Sequence, residues 1–260
     1  MNRFTRVLIL AIAICGALTA MLGWSVLTAL SGLLTATTLV LVRDGLATSS
    51  RLRSFLTIAW MYWGLSYVSN LIEAVYFSVV PIAAACPGAL VGLMMTLGVA
   101  GVLEMVTPAG GEGQAHPVQL ASGTWWRIPM LAFAFFAIYL AAGIAIYPWV
   151  AIFYAHMRIP TLPQLLRLQL FRGLLDLSFV YPVYWQWRWS RRLGMSISAC
   201  VFTVLCGWGP LLLPNHFLPG SIRLAHAAEM GASGIVFGIF AAFILLEPES
   251  DKIEGQIKLA

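Results

Sequence analysis

The sequence predicts an all-α membrane protein, a polytopic bundle of about eight transmembrane helices. Of its 260 residues, 60% are hydrophobic and only 10% are charged, whereas a soluble domain carries about 25% charged residues. The mean hydropathy is +0.88. So few charges cannot cover a water-facing surface, and most of the exterior must therefore face lipid. No polar linker divides the chain, which predicts a single transmembrane bundle over 1–246.

Eight apolar segments are close to the roughly 20 residues that a helix needs to cross a bilayer. They are 6–22, 25–42, 53–80, 82–106, 127–148, 163–187, 193–213 and 219–246. The first two are joined only by Gly23-Trp24-Ser25. They form either a tight hairpin or one broken pair, so seven helices is the competing count. The first segment resembles a signal peptide, but its apolar character continues past Ala20, which favours a retained helix.

The distribution of basic residues predicts the orientation of the bundle. With the N-terminus inside, the inner segments hold Arg3, Arg6, Arg43, Arg51, Arg53, Arg127, Arg188, Arg191, Arg192, Lys252 and Lys258, and the outer ones hold Arg158 and Arg223. This asymmetry predicts cytoplasmic termini and a location in the plasma (inner) membrane. It also predicts a cytoplasmic loop over 107–126 and a charged cytoplasmic tail over 247–260. The net charge of +5 thus indicates the positive-inside pattern of a protein in a lipid bilayer, and we expect no nucleic-acid partner.

Polar and charged side chains inside the predicted helices are the unusual feature of this sequence. A charge at the centre of a membrane helix costs about 2.5–3.5 kcal/mol, so these side chains must face the interior of the bundle and be paired or hydrated. Three helices place them in one layer on the outer side of the membrane midplane. The candidate binding residues in this layer are Asn70, Glu73, Arg172, Asp176, Arg223, His226 and Glu229.

Helical periodicity predicts that these side chains converge. At about 100° per residue, Ser66, Asn70 and Glu73 occupy one narrow face of the third helix. Arg172 and Asp176 are four residues apart, a spacing that favours pairing along one helix. We therefore expect the acids to meet the basic groups in one polar site. The acids are Glu73, Asp176 and Glu229, and the basic groups are Arg172, Arg223 and His226.

A stripe of small residues follows a different face of the last helix. It consists of Ala227, Gly231, Gly234 and Gly238. Small residues at this spacing let helices approach closely. The stripe therefore predicts a packing face, either within the bundle or against other membrane subunits.

Three functions remain open from the sequence. In the first, an outward-facing pocket binds or translocates a small charged solute or a lipid headgroup. Arg172, Arg223 and His226 would hold an anionic group, while Glu73 and Glu229 would tune or relay protons. The second is an intramembrane hydrolase that acts on a lipid or peptide at the outer leaflet. The third is a non-catalytic subunit of a larger membrane complex. A purely structural ion-pair network is the alternative to all three.

The hydrolase hypothesis has three catalytic candidates, Glu73, His226 and Glu229, which are also the candidate metal ligands. His226 and Glu229 lie three residues apart and share a helix face, but they form a single H-x-x-E and not the HExxH motif. A retinal Schiff base is excluded because the only lysines lie in the tail. The sequence assigns no cofactor.

Overall fold

The computed structural model describes residues 1–48, 50–107, 120–154, 160–213 and 220–247. Within these ranges the regular structure is helical, apart from two isolated bridges, Leu46 with Trp187 and Leu120 with Leu246. The helices are α1 (Arg3–Leu22), α2 (Val26–Gly45), α3 (Arg51–Trp63, a π-helical stretch Gly64–Val68, then Ser69–Tyr76), α4 (Ile82–Val106), α5 (Thr124–Tyr154), α6 (Leu162–Trp185), α7 (Arg191–Cys200, a π-helical stretch Val201–Trp208, then Gly209–Leu212) and α8 (Gly220–Leu245).

Six of these helices are long and apolar enough to cross a membrane, which is the character of a multi-pass membrane protein. They are Arg3–Leu22, Val26–Gly45, Ile82–Val106, Thr124–Ala151, Arg191–Leu212 and Ile222–Leu245. The two that do not meet this criterion are α3 and α6, which carry Glu73, Arg172 and Asp176. The all-helical prediction is therefore confirmed. Crossing of the membrane by α3 and α6, and with it the count of eight, stays a prediction.

The helices pack as a closed ring. Each helix contacts the next in the order α1, α2, α7, α8, α5, α6, α3 and α4, and α4 contacts α1 to close the ring. The π-helical stretches of α3 and α7 also touch each other across the ring. This arrangement places the polar residues of α3, α6 and α8 around the inside of one bundle, with α5 between α6 and α8.

One end of the bundle collects ion pairs and arginines, and we call it the arginine-rich end. Arg6 at the start of α1 binds Asp44 at the end of α2, with 2.5 Å between Nη1 and Oδ1. Arg43 binds the buried carboxylate of Glu104 on α4, with 2.6 Å between Nε and Oε1. Arg188, after α6, donates to the carbonyl oxygen of Asp44. Basic residues that the sequence assigns to the cytoplasmic side thus lie at one end of the structure.

Helix α3 is shorter than the sequence predicts. It ends at Tyr76 and not near residue 80, because the chain closes in a Schellman motif. Ser78 has a left-handed φ of 58°, and the backbone N–H groups of Ser78 and Val79 donate to the carbonyl oxygens of Val75 and Ala74. Glu73 therefore lies in the last turn of α3, and not about seven residues inside it.

Helix α5 is longer than the sequence predicts. It begins at Thr124, so the last three residues of the predicted loop 107–126 are helical, and it continues through Pro148 to Tyr154. A proline inside a helix removes one backbone hydrogen bond, but the helix continues past Pro148 all the same. Residues 108–119 of the predicted loop and 248–260 of the predicted tail lie outside the described residues.

The stripe of small residues on α8 packs against α7 within the chain. A Cβ atom on Gly234 would lie 2.9 Å from the backbone of Thr203, and one on Gly231 would lie 2.9 Å from the Trp208 ring. Trp208 also donates from Nε1 to the carbonyl oxygen of Ala227 at 2.7 Å. These contacts give the predicted packing face a partner inside the bundle. The binding of another membrane subunit to a stripe of small residues stays a prediction.

Candidate functional site

Arg172 of α6 forms an ion pair with Glu73 of α3, with 2.8 Å between Nη1 and Oε2. Arg172 is fully buried, whereas the Glu73 side chain is 21% exposed. The guanidinium also donates from Nε to Ser69 Oγ at 3.2 Å and from Nη1 to Gln169 Oε1 at 3.1 Å. Two helices that lie side by side in the ring are thereby joined by charge-assisted hydrogen bonds in the interior.

The other carboxylate oxygen of Glu73, Oε1, also accepts hydrogen bonds. Tyr139 of α5 donates its hydroxyl to Glu73 Oε1 at 2.9 Å, and Gln169 donates from Nε2 to the same atom at 3.3 Å. With both carboxylate oxygens engaged, Glu73 is held in one position by α5 and α6 together. Such a carboxylate is poorly placed to act as a general base, which must be able to reach a substrate proton or a water.

Asp176 does not pair with Arg172, although the two residues are four apart on α6. Side chains on a helix lean towards its N-terminus, so Arg172 reaches back to Gln169 and away from Asp176. Asp176 is fully buried, and its Oδ1 accepts no hydrogen bond from the described residues. Its Oδ2 lies 4.0 Å from Cys206 Sγ on α7. The expected pair along α6 is thus replaced by the pair between α6 and α3.

Asn70 contacts the π-helical stretches and not the ion pair. Its Nδ2 donates to the carbonyl oxygens of Leu65 at 3.0 Å and of Cys206 at 3.1 Å, and Ser66 Oγ donates to the carbonyl oxygen of Leu205. Asn70 and Glu73 both lie in the α-helical part Ser69–Tyr76, where three residues advance by about 300°. Their side chains are therefore about 60° apart and reach different neighbours, α7 for Asn70 and α6 for Glu73. In the structure Asn70 satisfies backbone carbonyls that the irregular turns leave open.

On α8, His226 and Glu229 form a second pair, with 2.8 Å between Nδ1 and Oε2. Glu229 is 7% exposed. Arg223, one turn before His226, donates from Nη1 to the carbonyl oxygen of Leu213 at 3.1 Å. No acid of the layer lies within ion-pairing distance of Arg223 among the described residues. The predicted single site is therefore divided into the Arg172–Glu73 ion pair and the His226–Glu229 contact, with Arg223 apart from both.

A cavity of about 260 Å³ lies beside the second pair. It opens at the end of the bundle opposite the arginine-rich end, where α3 ends and α6 begins. Two of its polar lining residues are Glu229 and Tyr139, and Tyr139 is the residue that binds Glu73. The cavity is lined by Phe77, Tyr139, Leu140, Gly143, Ile144, Ile146, Tyr147, Pro160, Leu165 and Glu229. Helix α5 thus lies between the Arg172–Glu73 pair and the His226–Glu229 contact and supplies most of the wall.

No protein-family model, curated protein or solved structure matches this chain.

The three candidate metal ligands, Glu73, His226 and Glu229, do not come together in the part of the chain that the structure describes. No group of three or more His, Cys, Asp or Glu side chains there could hold a metal ion. Glu73 is bound by Arg172 and Tyr139, whereas His226 and Glu229 bind each other. His116, His156 and His216 lie outside the described residues.

A second, much smaller cavity of about 20 Å³ lies deeper in the bundle, and Arg172, Tyr139 and Cys206 are among its lining residues. This volume admits a single water molecule. The buried Nη2 atom of Arg172 has no hydrogen-bond partner among the described residues, and one water would provide it. Tyr139 lines both cavities and is the common wall between them.

Two residues of the site were not among the candidates from the sequence. Gln169 is a polar residue three positions before Arg172, so its helical spacing could have identified it. Tyr139 has no such signal, because tyrosine is common in membrane helices and nothing near it in the sequence is charged. Its role becomes visible only when α5 packs between α6 and α8.

Proposed function

We propose that this protein lies in the plasma (inner) membrane, with the arginine-rich end in the cytoplasm, and binds a small charged solute or a lipid headgroup from the outer side. The observation that carries the proposal is the cavity of about 260 Å³ lined by Glu229 and Tyr139. The positive-inside rule assigns the arginine-rich end to the cytoplasm. The cavity, at the opposite end, then faces outward.

The composition of the cavity wall supports a binding site. Ligand sites are concave and mostly apolar, with a few polar groups that fix the orientation of the ligand. Here the polar groups are Glu229, held by His226, and Tyr139, held by Glu73. Because both groups are already hydrogen-bonded, they need little reorganisation when a ligand binds. A cavity of about 260 Å³ suits a headgroup or a small solute and not a whole lipid.

Native mass spectrometry of the full-length protein, released from mild detergent, tests this proposal. Gly143 lines the cavity, and a Cβ atom there would meet Glu229 Oε1 at 3.5 Å, an ordinary contact. Gly143→Leu should therefore fold and fill part of the cavity. Gly98→Leu is the matched control, because a Cβ atom on Gly98 meets nothing within 4 Å.

The proposal predicts an adduct of constant mass on the wild-type protein and on Gly98→Leu, and its loss from Gly143→Leu. An adduct that persists equally on Gly143→Leu would place the ligand elsewhere and contradict the proposal.

A second function, an intramembrane hydrolase, is favoured by the contact between His226 and Glu229 at the cavity wall. A carboxylate oriented by a histidine can serve as a general base. Hydrolysis of fluorogenic ester or peptide substrates in proteoliposomes, compared between the wild-type protein and Glu229→Gln, tests it. Loss of a wild-type activity in the variant would support the hydrolase, and absence of turnover in both would count against it.

A further inference from the structure

The charge of the cavity wall is negative in the part of the chain that the structure describes. Glu229 is the charged residue of the lining, and no Lys, Arg or His side chain joins it there. Glu229 Oε2 accepts from His226, whereas Oε1 lies on the side of Gly143, which also lines the cavity. The Oε1 atom of Glu229 is therefore the group available to a ligand at this wall, and it is a negatively charged hydrogen-bond acceptor.

The guanidinium groups of Arg172 and Arg223 are held by partners outside the cavity wall. Arg172 is fully buried against Glu73, Ser69 and Gln169. Arg223 donates to a backbone carbonyl oxygen at the end of α7. Neither lines the cavity. Two of the three groups that the sequence suggested for holding an anion, Arg172 and Arg223, are thus directed elsewhere.

The sign of the Glu229 charge points the same way. An anion beside the carboxylate would be repelled in a region of low dielectric constant, whereas a cation would be attracted.

Aromatic rings complete the wall. Phe77, Tyr139 and Tyr147 line the cavity with Glu229. The faces of aromatic rings attract cations, and aromatic cages with a carboxylate are a common way to bind quaternary ammonium groups. The remaining lining residues are apolar and accept the methyl or methylene groups that surround such a nitrogen.

We propose that the ligand of this cavity carries an ammonium group, either as a free organic cation or as the ammonium end of a lipid headgroup. This inference rests on the proposed function and specifies its ligand. In the bound state the ammonium group contacts Glu229 Oε1 and the three aromatic rings. Glu229 sets the preference for a cation, and His226 holds the carboxylate in place.

Thermal unfolding of the full-length protein in maltoside micelles, followed against ligand concentration, measures binding. The probes are choline and dodecyltrimethylammonium, with inorganic phosphate and dodecyl phosphate as their anionic counterparts. Glu229→Gln keeps the shape of the side chain and removes the charge. Glu247→Gln, two residues past the end of α8 at the arginine-rich end, is the matched control. Tyr147→Ala, which changes a half-exposed ring, is the second variant if Glu229→Gln does not fold.

We expect an ammonium probe to stabilise the wild-type protein, with an affinity about ten- to a hundredfold lower in Glu229→Gln and unchanged in Glu247→Gln. We expect Tyr147→Ala to lower the affinity for the ammonium probe several-fold. Stabilisation by choline would indicate a free cation, and stabilisation by dodecyltrimethylammonium alone would indicate a lipid headgroup.

Stabilisation by the phosphate probes and not by the ammonium probes would overturn the inference and leave the proposed function standing. If no probe binds and the adduct is also insensitive to Gly143→Leu, both the inference and the proposed function fail.

Discussion

Arg172 on α6 and Glu73 on α3 lie 2.8 Å apart inside the bundle, and this contact joins two helices that the sequence separates by about a hundred residues. Arg172 is fully buried, so its charge depends on its partner. The pair also fixes Tyr139, because Tyr139 donates its hydroxyl to the Glu73 carboxylate.

Removal of one member of this pair should destabilise the protein strongly. Arg172→Met leaves the Glu73 carboxylate without its cation, and loss of one partner of a buried pair typically costs about 3–5 kcal/mol. We expect a marked fall in the thermal unfolding midpoint in detergent. Arg167→Met, at an exposed position of the same helix, should have little effect.

The double variant Glu73→Gln with Arg172→Met should recover much of the stability lost in Arg172→Met, because it removes the uncompensated charge. Additive losses in the double variant would show that the two residues do not act as a pair.

Helix α8 should not tolerate a side chain at Gly234. A Cβ atom there would lie 2.9 Å from the backbone nitrogen and Cα of Thr203, and backbone atoms cannot move aside as a side chain can. We expect Gly234→Ala to lower the stability by about 1–3 kcal/mol. Gly98→Ala has open space around its Cβ atom and should be neutral or slightly stabilising. Equal stability of the two variants would contradict the close packing of α8 on α7.

Ser78→Gly should stabilise the protein. Ser78 occupies the left-handed position of the Schellman motif with a φ of 58°, a conformation that glycine adopts without the steric cost of a Cβ atom. We expect a gain of up to about 1 kcal/mol, seen as a higher thermal unfolding midpoint. Ser78→Val should lower it, since a β-branched residue disfavours this conformation.

Cysteine labelling in intact cells tests the orientation. In a background where the exposed Cys86 and Cys200 are replaced by alanine, Ser78→Cys and Leu52→Cys place thiols at opposite ends of α3. A membrane-impermeant maleimide should label Ser78→Cys directly and Leu52→Cys only after permeabilisation. The reverse pattern would place the arginine-rich end outside and turn the cavity towards the cytoplasm.

The sequence predicts the helical bundle well because composition and the length of apolar segments determine where helices can lie in a membrane. It also identifies Glu73, Arg172, His226 and Glu229, since each is costly inside a membrane helix and must find a partner. Which partner each of these side chains binds is harder to predict from the sequence. Arg172 binds Glu73 and not Asp176 because of the lean of helical side chains and the packing of α6 on α3.

Two features of the site depend on structure that periodicity does not show. The π-helical stretches Gly64–Val68 and Val201–Trp208 provide the backbone carbonyl oxygens to which Asn70 donates, and no simple residue pattern predicts such stretches. Tyr139 binds Glu73 and lines the cavity beside Glu229 because α5 packs between α6 and α8. The order of helices around the ring is a long-range property, and the spacing of residues within one helix does not encode it.

An experimental structure of the protein in a lipid nanodisc, at a resolution that shows bound small molecules, would reveal whether the cavity holds a ligand. We predict density that belongs to no protein atom in the cavity, within contact distance of Glu229 and Tyr139, with the Arg172–Glu73 pair intact behind it. A cavity closed by protein side chains, or Glu229 paired with an arginine across it, would contradict the account.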